Sequence, residues 1–180
     1  MATTIERSEL TGDYLLDTAH TRIGFIARHA MATRVRGKFA EFEGSAHLDG
    51  EEPSKSSAQL TIQARSIDTR NRQRDDLLGR KFLSVDDHPI ITFTMTEVEQ
   101  FTSTNIIVTG DLTIRGVTRA VTVDFEPTGV DRDKQRILRV CFTGSVTINR
   151  KDWGVHWKAA TGMVSPKVTL EFDVAAIRQY

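Results

Sequence analysis

The fold is decided by the stretch Asn105-Ile-Ile-Val-Thr-Gly-Asp-Leu-Thr-Ile-Arg-Gly-Val-Thr-Arg-Ala-Val-Thr-Val-Asp-Phe-Glu126, which contains two strands and the turn between them. Apolar residues and glycine occupy every second position from Ile106 to Ile114, and the alternation returns from Val121 to Phe125. A period of two is typical of a strand with one buried face. Gly116 supplies the backbone freedom that a tight hairpin needs. The stretch therefore predicts a hairpin that is apolar on one face and polar on the other.

Other segments of the chain repeat this alternation, with a change of parity between Phe39 and Phe42 that predicts a bulge near Ala40 or Glu41. Helical spacing replaces it only between Thr69 and Ser84. About eight strands joined by short turns, with one short helical insertion, predict an all-β protein: an antiparallel, lipocalin-like β-barrel. A two-sheet sandwich is the alternative, because period two does not show whether a sheet closes on itself.

The composition is that of one globular domain. We predict a flexible N-terminal arm over residues 1–12 and a single barrel domain over residues 13–180. The 24 basic and 24 acidic side chains balance, so no overall field favours nucleic acid. No apolar run is long enough for a transmembrane segment, Cys141 is the single cysteine, and the N-terminus lacks the pattern of a secretory signal. We therefore expect a cytoplasmic protein. Strand edges left open would pair into a homodimer, whereas closure of the sheet leaves no edge for one.

An ordered series of short blocks resembles the YceI-like family of lipid-binding proteins, often described as polyisoprenoid-binding. The resemblance runs from about Leu16 to Val174. It implies a barrel that binds a long isoprenoid or another apolar lipid, without a cofactor, a metal or a catalytic residue. The matching blocks are Gly110–Val121, Leu16–Phe25 with Arg28 and His29, Arg36–Phe39, Ser66–Thr69 with Arg74 and Asp75, Phe82, His88–Phe93, and Asn149–Gly154.

The apolar positions that face inward on the predicted barrel are candidates for a lipid tunnel. Small residues among them leave room, whereas a solid core of interdigitated side chains is the alternative. The resemblance favours the tunnel, and an isoprenoid quinone or another polyisoprenoid is the ligand it implies. The candidate lining residues are Phe25, Ile62, Phe93, Val108, Gly110, Leu112, Val123, Phe142, Gly144, Val146, Leu170 and Phe172.

The helical insertion is predicted to be a lid over one barrel mouth. Its basic residues, Arg70 and Arg72 among them, are candidates for contact with a ligand head group, while Leu78 and Phe82 supply an apolar underside. The alternative is a solvated helix face over an ordinary apolar plug.

Catalysis is the rival interpretation, in which His20 and His29 act on an isoprenoid head group. The histidines match no metal or nucleophile motif, so we expect His20 and His29 to be hydrogen-bonding plugs near one barrel end. An interaction module with a filled barrel is a third interpretation. Trp153 and Trp157 either form a rim for a ligand or cover a barrel end.

Overall fold

A computed structural model describes residues 6–29, 33–156 and 164–179. These residues form one antiparallel sheet, one longer helical segment and short turns of 3-10 helix. The strands are β1 Gly12–Leu16, β2 Arg22–His29, β3 Thr33–Phe39, β4 Phe42–Leu48, β5 Ser57–Gln63, β6 Ile67–Asp68, β7 Ile90–Phe101, β8 Ile106–Ile114, β9 Val117–Arg132, β10 Leu138–Asn149 and β11 Val164–Arg178. No helix in these three ranges is long and apolar enough to cross a membrane.

The sheet closes into a barrel of eight strands. Strands β1 and β2 both pair with β11, one after the other along its length, so together they occupy the position of one interrupted strand. On their other side β1 pairs with β4 and β2 pairs with β3, so β3 and β4 form a second interrupted strand. β5 and β6 form a third interrupted strand. The pairing of β1 with β11, for example Tyr14 with Arg178, closes the ring. The predicted closed, antiparallel barrel is thus confirmed, and the sandwich is excluded.

The interruptions in the strands explain the change of parity between Phe39 and Phe42. β3 ends at Phe39 and β4 begins at Phe42, and between them the backbone N–H of Ala40 donates to the carbonyl of Ser66 at 3.0 Å. Both phenylalanine side chains then pack against the same core.

The central hairpin forms as the sequence predicts. β8 and β9 meet at Arg115 and Gly116, which both have positive φ, at 51° and 74°. Two successive positive φ angles are typical of the type I′ turn, whose twist matches that of the flanking strands. On the outer face, the hydroxyls of Thr109 and Thr122 lie 2.7 Å apart. The inner face is buried and contributes Ile106, Val108, Leu112, Ile114, Val121 and Val123 to the core.

The helical segment Arg72–Leu83 lies within the predicted Thr69–Ser84 insertion. It begins as an α-helix, α1 Arg72–Leu77, and continues as a π-helical turn over Leu78–Leu83. The cap is Asn71, whose side chain accepts from the backbone N–H of Arg74 at 3.0 Å. The segment ends at Ser84, which has left-handed backbone angles.

Thr69 anchors this segment to β6. Thr69 is 4% exposed, and its backbone N–H donates to a carboxylate oxygen of Asp75 at 2.8 Å. The guanidinium of Arg74 donates to the Thr69 hydroxyl at 2.8 Å and to the Thr69 carbonyl at 2.7 Å. These bonds fix the start of the helical segment against the barrel.

The predicted flexible arm does not extend to residue 12. Residues Arg7–Leu10 form a turn of 3-10 helix, and Leu10 is only 5% exposed because it packs beside Tyr14 in the core. The hydroxyl of Tyr14 donates to the Leu10 carbonyl at 2.8 Å. This turn therefore belongs to the barrel, because burial of Leu10 and one buried hydrogen bond hold it there.

Candidate ligand cavity

Two apolar cavities occupy the barrel interior. One, of about 150 Å³, lies under the helical segment and touches Leu78, Phe82 and Leu83. We call it the lid-side cavity. The other, of about 180 Å³, touches Tyr14, which packs against the N-terminal turn, and we call it the far cavity. Five side chains line both cavities, and we call them the waist: Ile23, Leu60, Phe93, Val123 and Phe172.

Ten of the twelve side chains expected to line a tunnel border a cavity. Phe93, Val123 and Phe172 belong to the waist, and Val108 and Phe142 line the far cavity. The remaining five line the lid-side cavity: Phe25, Ile62, Leu112, Val146 and Leu170.

Gly110 and Gly144, the other two, line neither cavity. A phenylalanine ring from a neighbouring strand covers each of them. A Cβ added at Gly110 would lie 2.4 Å from the Phe93 ring, and one at Gly144 would lie 2.8 Å from the Phe125 ring. These glycines thus make room indirectly, because each lets a ring lie flat against the wall instead of projecting into the lumen.

The helical segment presents its apolar side to the interior. Leu78 and Phe82 line the lid-side cavity as expected for an apolar underside. Arg70 and Arg72 are exposed and border neither cavity. Arg72 faces solvent because the segment packs its apolar stripe on the barrel, which turns its charged side outward. Arg70 precedes the segment, in the connection between β6 and α1.

Arg150 belongs to the matching block Asn149–Gly154, but the sequence did not predict its place beside a cavity. It is 8% exposed and lines the lid-side cavity. Its Nη1 donates to the Val155 carbonyl at 2.6 Å, its Nε donates to the Ser165 carbonyl at 3.0 Å, and its guanidinium carbon lies 5.6 Å from the centre of the Phe82 ring. Burial lowers the pKa of Arg150. The sequence did carry a signal for the burial of Arg150, since Arg150 has the same parity as the inward residue Ile148.

Trp153 covers the end of the barrel. It is 3% exposed, and its indole N–H donates to the carbonyl of Leu112 at 2.9 Å. Two roles were expected for this residue, a rim around a ligand or a cover over a barrel end, and the structure shows the second. Trp157 lies outside the described residues.

The histidines form no reactive cluster in the described part of the chain. His20 has a side chain that is 64% exposed, with its ring nitrogen 2.8 Å from Asp17, so it is not a buried plug. The side chain of His29 lies outside the described residues, and His156 is exposed. Within these residues, no three His, Cys, Asp or Glu side chains are grouped as a metal site would need.

The carboxylate of Asp17 is paired with two basic side chains, His20 and Arg139. Burial by itself raises the pKa of Asp17, but the hydrogen bond and charge of His20 and the charge of Arg139 outweigh it, so the pKa lies below its ordinary value. Arg139 approaches the same carboxylate oxygen at 2.8 Å. An ionised, doubly paired carboxylate is a structural ion pair rather than a general acid.

The model of the YceI-like domain family matches residues 14–176, which is nearly the whole barrel. The chain belongs to the YceI-like family. A UPF0312 protein of Pseudomonas paraeruginosa is 35% identical over 173 residues, covering 94% of this chain and 89% of that protein.

Solved structures of similar proteins have the same fold. The crystal structure of Burkholderia cenocepacia BcnA matches with a TM-score of 0.76 and 24% identity, covering 89% of this chain and 98% of that one. A polyisoprenoid-binding domain from Saccharophagus degradans, implicated in plant cell wall breakdown, matches with a TM-score of 0.72 and 14% identity, covering 92% and 98% of the two chains. Both likenesses support the YceI-like barrel.

Proposed function

We propose that this protein binds one apolar chain, prenyl or acyl, lengthwise inside the barrel and carries, stores or senses it without chemical change. The observation that carries the proposal is the pair of cavities that meet at the waist, lined almost wholly by apolar side chains. A filled barrel, the rival interaction module, would leave no such space.

The volume of the cavities limits the chain that they enclose. Taking a methylene group as about the volume of a water molecule, roughly 30 Å³, each cavity accepts about five or six carbons. At about 0.8 kcal/mol for each methylene removed from water, burial of roughly ten carbons contributes about 8 kcal/mol. That free energy would correspond to a micromolar dissociation constant if association itself cost nothing. A longer polyisoprenoid must project from the barrel or widen the waist.

The family supports an isoprenoid as the class of ligand. Membership of the YceI-like family and the shared fold of the Saccharophagus domain, described as polyisoprenoid-binding, agree with an apolar chain in the barrel. The enzyme alternative has weaker support, because His20 is exposed and paired with Asp17, away from the lining of both cavities.

Extraction of the purified protein with organic solvent, followed by mass spectrometry, tests the proposal directly. We expect an intact prenyl or acyl chain in near-stoichiometric amount. Displacement of an apolar fluorescent probe by prenyl alcohols is the matching assay in solution.

A pair of variants separates interior from surface binding in that assay. Ala58→Phe places a ring in the far cavity, which Ala58 lines, whereas Ala120→Phe places the same ring on the exposed outer face. We expect Ala58→Phe to weaken probe and alcohol binding at least tenfold and Ala120→Phe to leave both unchanged. Equal behaviour of the two variants, or the absence of any extractable or bound apolar chain, would refute the proposal. Turnover of an isoprenoid phosphate that is lost in His20→Ala would instead support the enzyme.

A further inference from the structure

We infer that the lid end of the barrel, which is the end that the helical segment covers, docks on an anionic lipid bilayer. The inference rests on the proposed function and adds the surface from which the bound chain enters and to which it returns. The helical segment and the lid-side cavity both lie at this end, so docking places the cavity next to the membrane. A chain that passes directly between the two does not lose the burial of its carbons to water.

Exposed basic side chains lie close together at the lid end. Arg28 on β2 follows Ala27, which lines the lid-side cavity, and pairs with Arg34 on β3. Lys167 on β11 precedes Val168, the partner of Ala27. Two further arginines stand where the chain leaves β6, beside β3, and enters the helical segment. We call this exposed set the basic patch: Arg28, Arg34, Arg70, Arg72 and Lys167.

The charge of the basic patch faces solvent. No member of the patch forms an ion pair with another residue in the described part of the chain. The carboxylates around the patch are already bonded. Glu171 pairs with Arg36 at 3.4 Å, and Asp76 pairs with Arg80 at 2.6 Å. The patch therefore keeps its positive charge available for an anionic surface.

Two exposed apolar side chains lie across the same mouth, on strands that the order of the sheet places away from β2 and β3. Ile90 is 45% exposed at the start of β7, and Val117 is 37% exposed at the start of β9. Their segments touch, because a Cβ added at Gly116 would lie 2.8 Å from the ring of His88. Cations and exposed apolar side chains together suit the interface of an anionic membrane. Nucleic acid would use the cations but gain little from the aliphatic side chains, so a bilayer is the better match.

The charges are also separated along the barrel. The protein has 24 basic and 24 acidic side chains, so the charge of the basic patch is balanced by acidic residues elsewhere. The turn after β4 is one such place, at the end where Leu48 lines the far cavity, and it carries Asp49, Glu51 and Glu52 beside Lys55. A separation of this kind turns the lid end toward a negative surface although the net charge is zero.

Sedimentation with vesicles tests the inference. We expect the protein to bind vesicles that contain about one third phosphatidylglycerol in phosphatidylcholine at least tenfold more tightly than vesicles of phosphatidylcholine alone. Raising the ionic strength from about 0.05 M to about 0.5 M should remove most of this preference, because salt screens exposed charges. Equal binding to both kinds of vesicle, or a preference that is unchanged at high salt, would overturn the inference.

A matched pair of double variants locates the surface. Arg28→Gln/Arg34→Gln should weaken binding to the anionic vesicles about 25-fold, since each cation near such a membrane contributes about fivefold. Like charges directly opposite on neighbouring strands repel, so this change should not lower the free energy of unfolding. The control, Lys134→Gln/Arg136→Gln, removes the same charge from the exposed turn between β9 and β10 at the other end. Equal weakening in both double variants would assign the effect to net charge and overturn the inference.

Ile90→Ser/Val117→Ser tests the apolar contact. It should lower the affinity for anionic vesicles about two- to tenfold and leave the dependence on salt unchanged. Unchanged affinity in this variant, together with tighter binding of the unmodified protein to a single-stranded DNA than to the vesicles, would reassign the surface to nucleic acid and overturn the inference.

Displacement of the apolar probe by prenyl alcohols, without vesicles, is measured on the same proteins. None of the substituted residues lines either cavity, so the affinity for the alcohols should not change. Vesicle binding without any binding of the alcohols would refute the proposed function. Binding of the alcohols without a preference for anionic vesicles would overturn the docking surface alone.

Discussion

Gly110→Ala is expected to obstruct the lumen at the waist. The added Cβ would lie 2.4, 2.7 and 2.8 Å from three atoms of the Phe93 ring, so the ring must retreat by about 1 Å to reach the 3.4 Å of an ordinary contact. The barrel wall lies behind the ring, and Phe93 lines both cavities, so the free direction is into the lumen. One methyl group on the wall therefore moves a whole ring at the waist.

The size of the effect follows from the far cavity. A chain that is denied the far cavity loses the burial of about six carbons, at most roughly 5 kcal/mol at 0.8 kcal/mol for each. The displaced ring narrows the lumen but does not close it, so the loss should be smaller than this maximum. We expect the affinity to fall by between about tenfold and a thousandfold. Overpacking should also lower the free energy of unfolding by about 1–3 kcal/mol.

The assay is displacement of an apolar probe by prenyl alcohols of one, two and three isoprene units, with denaturant unfolding measured in parallel. The affinity for the longer alcohols should fall more than that for the shortest, since only they extend past Phe93. Gly129→Ala is the matched control, because nothing lies within 4 Å of the Cβ that it adds.

A second substitution tests whether Phe93 transmits the effect. Phe93→Leu in the Gly110→Ala background removes the displaced ring and should restore binding of the longer alcohols, so the two changes are not additive. A folded Gly110→Ala protein that binds all three alcohols with unchanged affinity would refute the role given to the ring and to the waist.

The remaining predictions concern stability. Asp75→Ala should lower the free energy of unfolding by about 1–3 kcal/mol, because it leaves the buried Thr69 hydroxyl and N–H without their carboxylate; an unchanged denaturant midpoint would contradict the anchoring role. Tyr14→Phe should cost about 1 kcal/mol and increase amide hydrogen exchange over the N-terminal turn, since the bond to the Leu10 carbonyl is lost. The pKa of Asp17 is lowered in the folded protein, so its contribution is present above the unfolded value of about 3.9 and is lost as pH falls through the folded value. Asp17→Asn should therefore be less stable than the unmodified protein at neutral pH but equally stable in strong acid, and a constant difference across that range would contradict the ion pair.

Local pattern was enough to predict the strands, their buried faces and the main hairpin. The alternation from Ile106 to Ile114 depends only on the period of a strand, and the positive φ of Gly116 depends only on the turn that joins β8 to β9. The helical insertion was recognisable for the same reason, because Leu78 and Phe82 keep the spacing of one helix face. Parity also placed most of the cavity-lining residues on the inner surface.

Only the tertiary structure decided how those inner positions share the lumen. Parity says that Gly110, Phe93 and Arg150 face inward, but the stagger between neighbouring strands determines that the Phe93 ring covers Gly110 and that Arg150 is buried beside the lid-side cavity. The same holds for closure, which depends on the pairing of β1 with the distant β11. The sequence by itself therefore determined which residues form the inner surface of the barrel, whereas contacts between residues far apart in the chain decided where that surface leaves space, because those contacts depend on strand register and not on any local period.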